Sequence, residues 1–336
     1  MRNVVIAMGL SCVVMCLQTP AAGAKAFNGM AFAGPAISGD SVVWGTEYSD
    51  GSGAVKVDGR VVTRFERAKG KKRSRGFTGV PGAVSASPTR IVYTLVDTRI
   101  ISQSSDSVGL TSTFTPLVST AGGPFDNPLG CTTDDNISTA VDGDTVVLGV
   151  LGSQPCAGIY VDGRKIDTRG ESRQVRIAGP YVAWLDAPGG GGDRITVADR
   201  ASGAVLATYP ATAGRRSWQV FDIDEQGNIV AVQGDRLVAF SLSAPQPRVL
   251  ARRLWGSSVS TAAGRVAYIT MDARSGPDRL VLADLQGKIL KRLERYGKRR
   301  WPQGEIALTD RWAAWSVKRA TYDEPTGPGN VFLKKL

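Results

Sequence analysis

Adjacent arginines stand just before a tryptophan in residues 215–218, 252–255 and 299–301, and residues 64–75 hold seven Lys and Arg residues. Guanidinium groups bind carboxylate, sulfate or phosphate in a bidentate manner, and indole rings stack on sugars, bases or guanidinium groups. The pattern therefore predicts a surface that binds an anionic ligand. The candidate ligand-binding residues are Arg73, Arg75, Arg215, Arg216, Trp218, Arg252, Arg253, Trp255, Arg299, Arg300 and Trp301.

The charge distribution agrees with this hypothesis. The chain has a formal net charge of +11, and only one basic residue, Arg2, lies in residues 1–24. With 295–301 counted for the last segment, the four segments hold 15 basic residues, whereas the rest of residues 25–336 has 25 basic and 29 acidic residues. The positive excess thus lies in these segments. The alternative is that the tryptophans pack inside the protein and the arginines extend into solvent.

The 336-residue chain contains no histidine. This excludes Ser-His and Cys-His nucleophile pairs and zinc sites built on imidazole. We therefore predict no catalytic residue, no metal site and no cofactor, and we favour a non-catalytic role. A hydrolase or lyase that acts on carbohydrate through loop carboxylates, tyrosine or arginine remains the alternative.

The N-terminus has the features of an export signal. Arg2 precedes an apolar stretch from Val4 to Leu17, and Ala22-Gly23-Ala24 is a small-residue cleavage site. We expect a signal peptide at 1–24, a single domain at 25–336, and a secreted or periplasmic monomer without a transmembrane segment. An uncleaved anchor is the alternative, although fourteen residues are few for crossing a bilayer.

Two cysteines, Cys131 and Cys156, remain after residues 1–24 are removed. Exported proteins fold in an oxidising environment, so a single disulfide between these two residues is predicted. Free thiols are the alternative.

A repeated pattern runs through residues 30–336: a turn, then an apolar strand, most often ending in an aromatic residue. The repeats are about 45 residues apart, which is the length of a four-stranded β-propeller blade. We predict an all-β propeller with seven blades of four antiparallel strands, with six blades as the alternative. The terminal strand positions are Trp44, Tyr93, Leu148, Trp184, Val232, Tyr268 and Trp315.

Strand direction predicts where the basic segments lie. If the strands of a blade are called A to D from the axis to the rim, the D–A connections and B–C loops emerge at one end of the propeller. All four basic segments precede an A strand, so they should share that end. The last repeat, Val331–Leu336, has no D strand after it, and residues 26–30 could supply one.

The sequences Asp142–Leu148 and Gly158–Gly163 resemble the repeats of TolB-type and related WD40-like exported propellers. The resemblance implies the fold and says little about activity. The expected partner is a protein or an anionic cell-surface polymer or glycan. Nucleic acid is disfavoured, because the chain carries an export signal and no nucleic-acid module.

Overall fold

The computed structural model describes most of the chain from Ala24 onward. Of the predicted site residues, Arg73, Arg75, Arg215, Arg216 and Arg299 lie outside the described ranges. The described residues are 24–28, 33–48, 52–65, 77–103, 108–120, 125–131, 133, 136–152, 155–167, 172–186, 193–211, 217–272, 276–297, 300–318 and 329–336.

The described residues form seven sheets of four antiparallel strands, so the predicted seven-bladed propeller is confirmed and the six-bladed alternative is wrong. Within blades 1 to 6 the four strands follow one another in chain order. Blade 1 comprises β2 (Ala33–Ser38), β3 (Ser41–Glu47), β4 (Gly53–Val57) and β5 (Arg60–Phe65). Blade 2 comprises β6 (Phe77–Ala86), β7 (Arg90–Gln103), β8 (Val108–Thr120) and β9 (Phe125–Asp126). Blade 3 comprises β10 (Ile137–Asp142), β11 (Thr145–Val150), β12 (Gly158–Val161) and β13 (Arg164–Asp167).

Blades 4 to 6 have the same order from the axis to the rim. Blade 4 comprises β14 (Ser172–Ala178), β15 (Tyr181–Asp186), β16 (Arg194–Asp199) and β17 (Val205–Pro210). Blade 5 comprises β18 (Trp218–Ile223), β19 (Asn228–Gln233), β20 (Arg236–Ser241) and β21 (Arg248–Arg252). Blade 6 comprises β22 (Leu254–Ala262), β23 (Arg265–Asp272), β24 (Gly276–Asp284) and β25 (Ile289–Arg295). No helix in the described ranges has the length and apolar character that crossing a bilayer requires.

Blade 7 joins the two ends of the described chain. It contains β26 (Trp301–Leu308), β27 (Trp312–Lys318) and β28 (Gly329–Lys335), and β1 (Ala24–Asn28) pairs with β28 as its outer strand. The prediction that residues near 26–30 complete this blade is therefore confirmed. An antiparallel ladder from Ala24 opposite Lys334 to Asn28 opposite Asn330 closes the ring.

Blade 2 is larger than the spacing of the repeats suggests. Its B and C strands have 14 and 13 residues, and they remain paired out to Gln103 opposite Val108. This hairpin is more than twice as long as the B and C strands of blade 3. It accounts for the 55-residue spacing between Tyr93 and Leu148, the widest between neighbouring repeats.

Asp-Gly pairs form the C–D turns of blades 1 and 3. Asp58 and Gly59 both have positive φ, as do Asp162 and Gly163, which suits the tight turns that join antiparallel strands. Asp58 Oδ1 also accepts the N–H of Val42 at 3.0 Å. The same aspartate therefore makes the turn and ties it to the B strand of its own blade.

The large aromatic residues at the ends of the repeats lie between blades, as predicted. Trp44, Trp184 and Trp315 are at most 1% exposed, and Tyr93 and Tyr268 are nearly as buried. Trp315 stacks on Phe332 with ring centroids 5.4 Å apart. Burial of aromatic surface between sheets is therefore a main source of the ring's stability.

Neighbouring blades are also joined near their A–B turns. Ser38 Oγ donates to the Ser87 carbonyl, and Ser87 Oγ donates to the Gly143 carbonyl, each at 2.6 Å. Trp312 Nε1 donates to Asp40 Oδ1 at 2.8 Å and so connects blade 7 to blade 1. These bonds fix the inner strands around a central channel.

The outer strands share a bulge at an aliphatic residue. In blades 1, 3, 4, 5 and 6 the register between C and D shifts by one residue. An extra residue in an edge strand disturbs its ladder and hinders pairing with other sheets. The extra residues are Val62, Ile166, Leu206, Leu250 and, in blade 6, both Leu290 and Leu293.

Candidate functional site

The strand order defines two ends of the central channel. The D–A connections and B–C loops emerge at one, which we call the D–A end, and the A–B and C–D turns emerge at the other, the A–B end. Trp218 and Trp301 open the A strands of blades 5 and 7, and Trp255 is the second residue of the A strand of blade 6. These three predicted site residues therefore all lie at the D–A end.

Trp255 and Trp301 contact each other where blades 6 and 7 meet. Their ring centroids are 5.3 Å apart with the planes tilted by 59°, and both side chains are half-buried. Gly276 lies against them with φ of +87°, and a Cβ at this position would come within 3.1 Å of Trp301. A glycine is thus required for the aromatic pair to lie against the start of β24.

Arg252 is the last residue of β21, Arg253 connects it to β22, and both residues are exposed. The backbone of Arg253 has φ of +59°, and its carbonyl accepts the N–H of Met271 at 2.7 Å. That hydrogen bond fixes the connection to the B strand of blade 6, so the two guanidinium groups extend from an anchored backbone at the D–A end.

Arg300 faces inward, unlike the other two arginines. Its guanidinium donates to Glu294 Oε2 at 2.9 Å, and both side chains are largely buried. Trp315 Nε1 donates to the same carboxylate oxygen at 3.4 Å. Arg300 therefore anchors the start of β26 and positions the adjacent Trp301.

Tyr296 belongs to the same buried cluster. Burial raises the pKa of its hydroxyl, the charge of Glu294 raises the pKa further, and Arg300 opposes both effects. The Tyr296 hydroxyl has no hydrogen-bond partner among the described residues. The neutral phenol is therefore the stable form in this cluster.

Trp218 lies inside the protein. Its side chain is 4% exposed, its Nε1 donates to the Tyr209 carbonyl at 3.2 Å, and its ring lies 6.0 Å from that of Phe240. These contacts connect blade 4 with blade 5. In the structure Trp218 therefore packs between blades, as the alternative interpretation describes.

Two further cations, Lys318 and Arg279, lie at this end and were missed by the sequence reasoning. Lys318 is the cross-strand partner of Trp301, and Arg279 is the partner of Arg295 at the outer edge of blade 6. The strand order could have predicted them, because B strands finish and C strands begin at the D–A end, where the A strands also begin.

A cavity of about 890 Å³ opens at the D–A end of the channel. Trp218 and Leu254 are among its lining residues, so it lies beside the basic connections. Several lining side chains also hydrogen bond to the backbone of the next blade: Gln174 Oε1, for example, accepts the N–H of Phe221 at 3.2 Å. The uncharged polar residues that line the cavity are Ser85, Asn136, Ser138, Thr139, Gln174, Ser217, Gln219 and Ser258.

An ion-pair cluster lies at mid-channel. Arg176 is 3.4 Å from Asp222 Oδ1 and 3.9 Å from Glu305 Oε2, and both Arg176 and Glu305 also line a cavity of about 560 Å³ at the A–B end. Burial raises the pKa of Asp222, and Arg176 partly offsets this effect. Asp222 Oδ2 accepts bonds from the Ser260 hydroxyl and the Thr261 N–H.

The predicted disulfide is present. Cys131 in the connection between blades 2 and 3 is bonded to Cys156 in the B–C loop of blade 3, with 6.7 Å between their Cα atoms. The Cys131 carbonyl accepts a bond from Asn127 Nδ2, and the Cys156 carbonyl accepts one from the Tyr160 hydroxyl. Both cysteines belong to the D–A end, as strand direction predicts.

Solved structures confirm the WD40-like fold. The WD40 domain of Neurospora crassa Pan2 has a TM-score of 0.54 at 6% identity, over 91% of this chain and 89% of that chain. KlAtg21, solved in complex with the coiled coil of AgAtg16, has a TM-score of 0.52 at 12% identity, over 88% and 96%. At these identities the likeness concerns the fold.

A puromycin hydrolase mutant complexed with PGG has a TM-score of 0.48 at 15% identity over 85% of this chain. This chain spans about half of that hydrolase, since 50% of it is covered. No protein-family model and no curated protein sequence matches this chain. The TolB-type assignment therefore stays a prediction.

Proposed function

We propose that this protein is an exported, non-catalytic binding module that holds an anionic partner at the D–A end of the propeller. The contact between Trp255 and Trp301 carries the proposal, because it leaves two half-exposed rings beside the exposed guanidinium groups of Arg252 and Arg253. Stacking and bidentate ion pairing are the two interactions that an anionic sugar polymer requires.

The neighbouring cavity supports a polymer as the partner. Its amide and hydroxyl side chains can hydrogen bond to sugar hydroxyls, while the basic connections neutralise acidic groups. The preferred class is therefore an anionic cell-surface polymer or glycan. A protein partner is the second class, since KlAtg21 was solved with a coiled coil bound. We place the protein outside the cytoplasm, with which the disulfide is compatible.

The test is binding to a sulfated glycosaminoglycan, to polygalacturonate and to neutral dextran, at low and high salt. We expect the two polyanions to bind and dextran not to bind. Replacing Arg252 and Arg253 by Ala should weaken binding about tenfold or more, since each desolvated charged contact contributes more than 1 kcal/mol. Trp255→Ala should weaken binding without changing its salt dependence.

The matched control is Lys291→Ala with Arg292→Ala, which removes the same charge from the outer strand of blade 6. Equal losses in the two double variants would mean that net charge alone drives binding, and would contradict the proposed site. Binding of dextran as tight as that of the polyanions would also contradict it.

One observation favours the alternative of a carbohydrate hydrolase or lyase. Asp222, whose pKa is raised by burial, and Glu305, which is exposed, share Arg176 in the channel, and carboxylates in unlike environments can divide acid and base roles. Both oxygens of Asp222 already have partners, so we rank this function second. Cleavage of a polysaccharide panel that disappears in Asp222→Asn and Glu305→Gln would reverse the ranking.

A further inference from the structure

The outer strand of blade 6 combines exposed aliphatic and basic side chains. Ile289 and Leu290 are 44% and 49% exposed, and the neighbouring Lys288, Lys291 and Arg292 are exposed as well. Leu290 is a bulge residue, since Lys291 pairs with Leu282 and Ile289 pairs with Ala283. The bulge thus leaves two successive aliphatic side chains in solvent.

The adjoining blades extend the positive charge of this strand. Arg248 of blade 5 donates to the carbonyl of Leu285, in the turn that leads into β25. Lys334 of blade 7 is close enough to Lys291 for the two charges to repel: burial lowers the pKa of Lys334, and Lys291 lowers it further, while Glu294 opposes both. An anion placed between the two ammonium groups would relieve that repulsion.

Blade 6 differs from blades 3 and 5 in the blade that follows it around the ring. Ile166 of blade 3 lies against Gly203, and the backbone of Leu250 in blade 5 lies against Gly287, so the C–D turn of the next blade covers each bulge. Leu290 of blade 6 faces blade 7, whose C and D strands, β28 and β1, come from opposite ends of the described chain. No C–D turn joins those two strands among the described residues.

Aliphatic exposure alone does not single out blade 6. Val205 and Leu206 of blade 4 occupy the same bulge and are 57% and 50% exposed, but β17 (Val205–Pro210) has no charged residue. Val61 and Val62 of blade 1 are also exposed, beside Arg60 and Arg64, so blade 6 is distinguished by its three closely spaced cations, Lys288, Lys291 and Arg292. Exposed aliphatic side chains together with clustered cations suit an anionic bilayer. The aliphatic side chains enter the interfacial region, and the cations pair with the anionic headgroups.

We propose that the edge formed by Lys288–Arg292, Arg248 and Lys334 is a contact surface for an anionic lipid bilayer. Charge complementarity selects this partner, because residues 285–293 and 329–335 contain no acidic residue. The surface also adjoins β1, since Lys334 pairs with Ala24. It lies toward the A–B end, so it is separate from the proposed polyanion site.

The test is co-sedimentation with vesicles of phosphatidylcholine, alone or mixed with phosphatidylglycerol. The chain from Ala24 is suitable, because all seven blades lie within it. We expect binding to the mixed vesicles, little binding to phosphatidylcholine alone, and loss at high salt. Lys291→Gln with Arg292→Gln should weaken binding about tenfold or more, at about 1 kcal/mol for each charge.

Two pairs of controls locate the surface. Ile289→Ser with Leu290→Ser should weaken binding several-fold, whereas Val205→Ser with Leu206→Ser on blade 4 should leave it unchanged. Arg252→Ala with Arg253→Ala should also leave it unchanged, and unfolding curves check that every variant is folded. Equal binding to both kinds of vesicle, no binding to either, or losses confined to the Arg252 and Arg253 variant would overturn the proposal.

Discussion

Trp312 and Asp40 join the last blade to the first: the indole Nε1 donates to a carboxylate oxygen at 2.8 Å across 272 residues of chain. Like the hydrogen bonds of Ser38 and Ser87, this bond connects neighbouring blades near their A–B turns. It therefore complements the β1–β28 ladder, which closes blade 7 at its outer edge.

Replacing Asp40 by Ala should lower the free energy of unfolding by about 1 kcal/mol, the contribution of one hydrogen bond to a charged acceptor at the surface. Chemical denaturation monitored by tryptophan fluorescence measures the change. Asp144→Ala is the matched control, because Asp144 follows the equivalent turn glycine in blade 3 and forms only a solvent-exposed ion pair with Arg90 at 3.8 Å, an interaction that contributes little to stability. An equal loss in both variants would show that the bond to Trp312 contributes nothing specific.

Trp184→Ala should destabilise the protein by about 3–5 kcal/mol, because it opens a large cavity at a position that is 1% exposed. Trp184→Phe keeps most of the apolar volume and should cost clearly less. Melting temperature and denaturation midpoint report the difference. A melting curve for Trp184→Ala that matches the wild type would refute the role of this residue in packing.

Breaking the disulfide with Cys131→Ser and Cys156→Ser should lower the stability by about 3 kcal/mol, because the bond closes a loop of 25 residues in the unfolded chain. Reductant should destabilise the wild type by a similar amount and leave the double variant unaffected. If reductant shifted both proteins equally, the change would have another source.

Arg176→Met should lower the free energy of unfolding most strongly at neutral pH. Burial raises the pKa of Asp222 above its ordinary value, so protonation of this group favours the folded state, and that contribution is lost as the pH rises through the raised pKa. Without Arg176 the ionised carboxylate loses its cation, which we expect to cost about 3 kcal/mol when the group is charged. The cost should shrink as the pH falls through the raised pKa of Asp222, because the carboxyl group then becomes protonated.

Denaturation curves across this pH range measure the effect of Arg176→Met. Adding Asp222→Asn to this variant should remove the pH dependence of the difference, because the side chain then carries no charge. If the single variant lost the same stability at every pH, the ionisation of Asp222 would not be coupled to Arg176.

Local patterns in the sequence predicted the B strands well. The buried Trp44 and Trp184 each end an apolar run after a turn, and that signal needs no long-range information. The disulfide was predicted because two cysteines remain after export, and the closing strand because the last repeat has no D strand of its own. The long hairpin of blade 2 was missed, because an extended hairpin and an ordinary loop between strands have similar spacing in the sequence.

The orientation of the site residues could not be predicted. Trp218 and Trp255 both follow two arginines, yet Trp218 is enclosed by Tyr209 and Phe240 whereas Trp255 contacts Trp301. The side chain of Arg300 is buried because it forms an ion pair with Glu294 of β25, the outer strand of blade 6. These outcomes depend on side chains from other strands and blades, and such neighbours are set only when the ring has closed.

The pairing of β1 with β28 also fixes an order of events during synthesis. The ribosome makes β1 before any other strand of the ring, but its partner is the last strand to be translated. The first strand must therefore wait, unpaired, while six sheets assemble. A chain that stops early cannot complete the circle, so truncated products would expose unpaired edges that proteases can recognise.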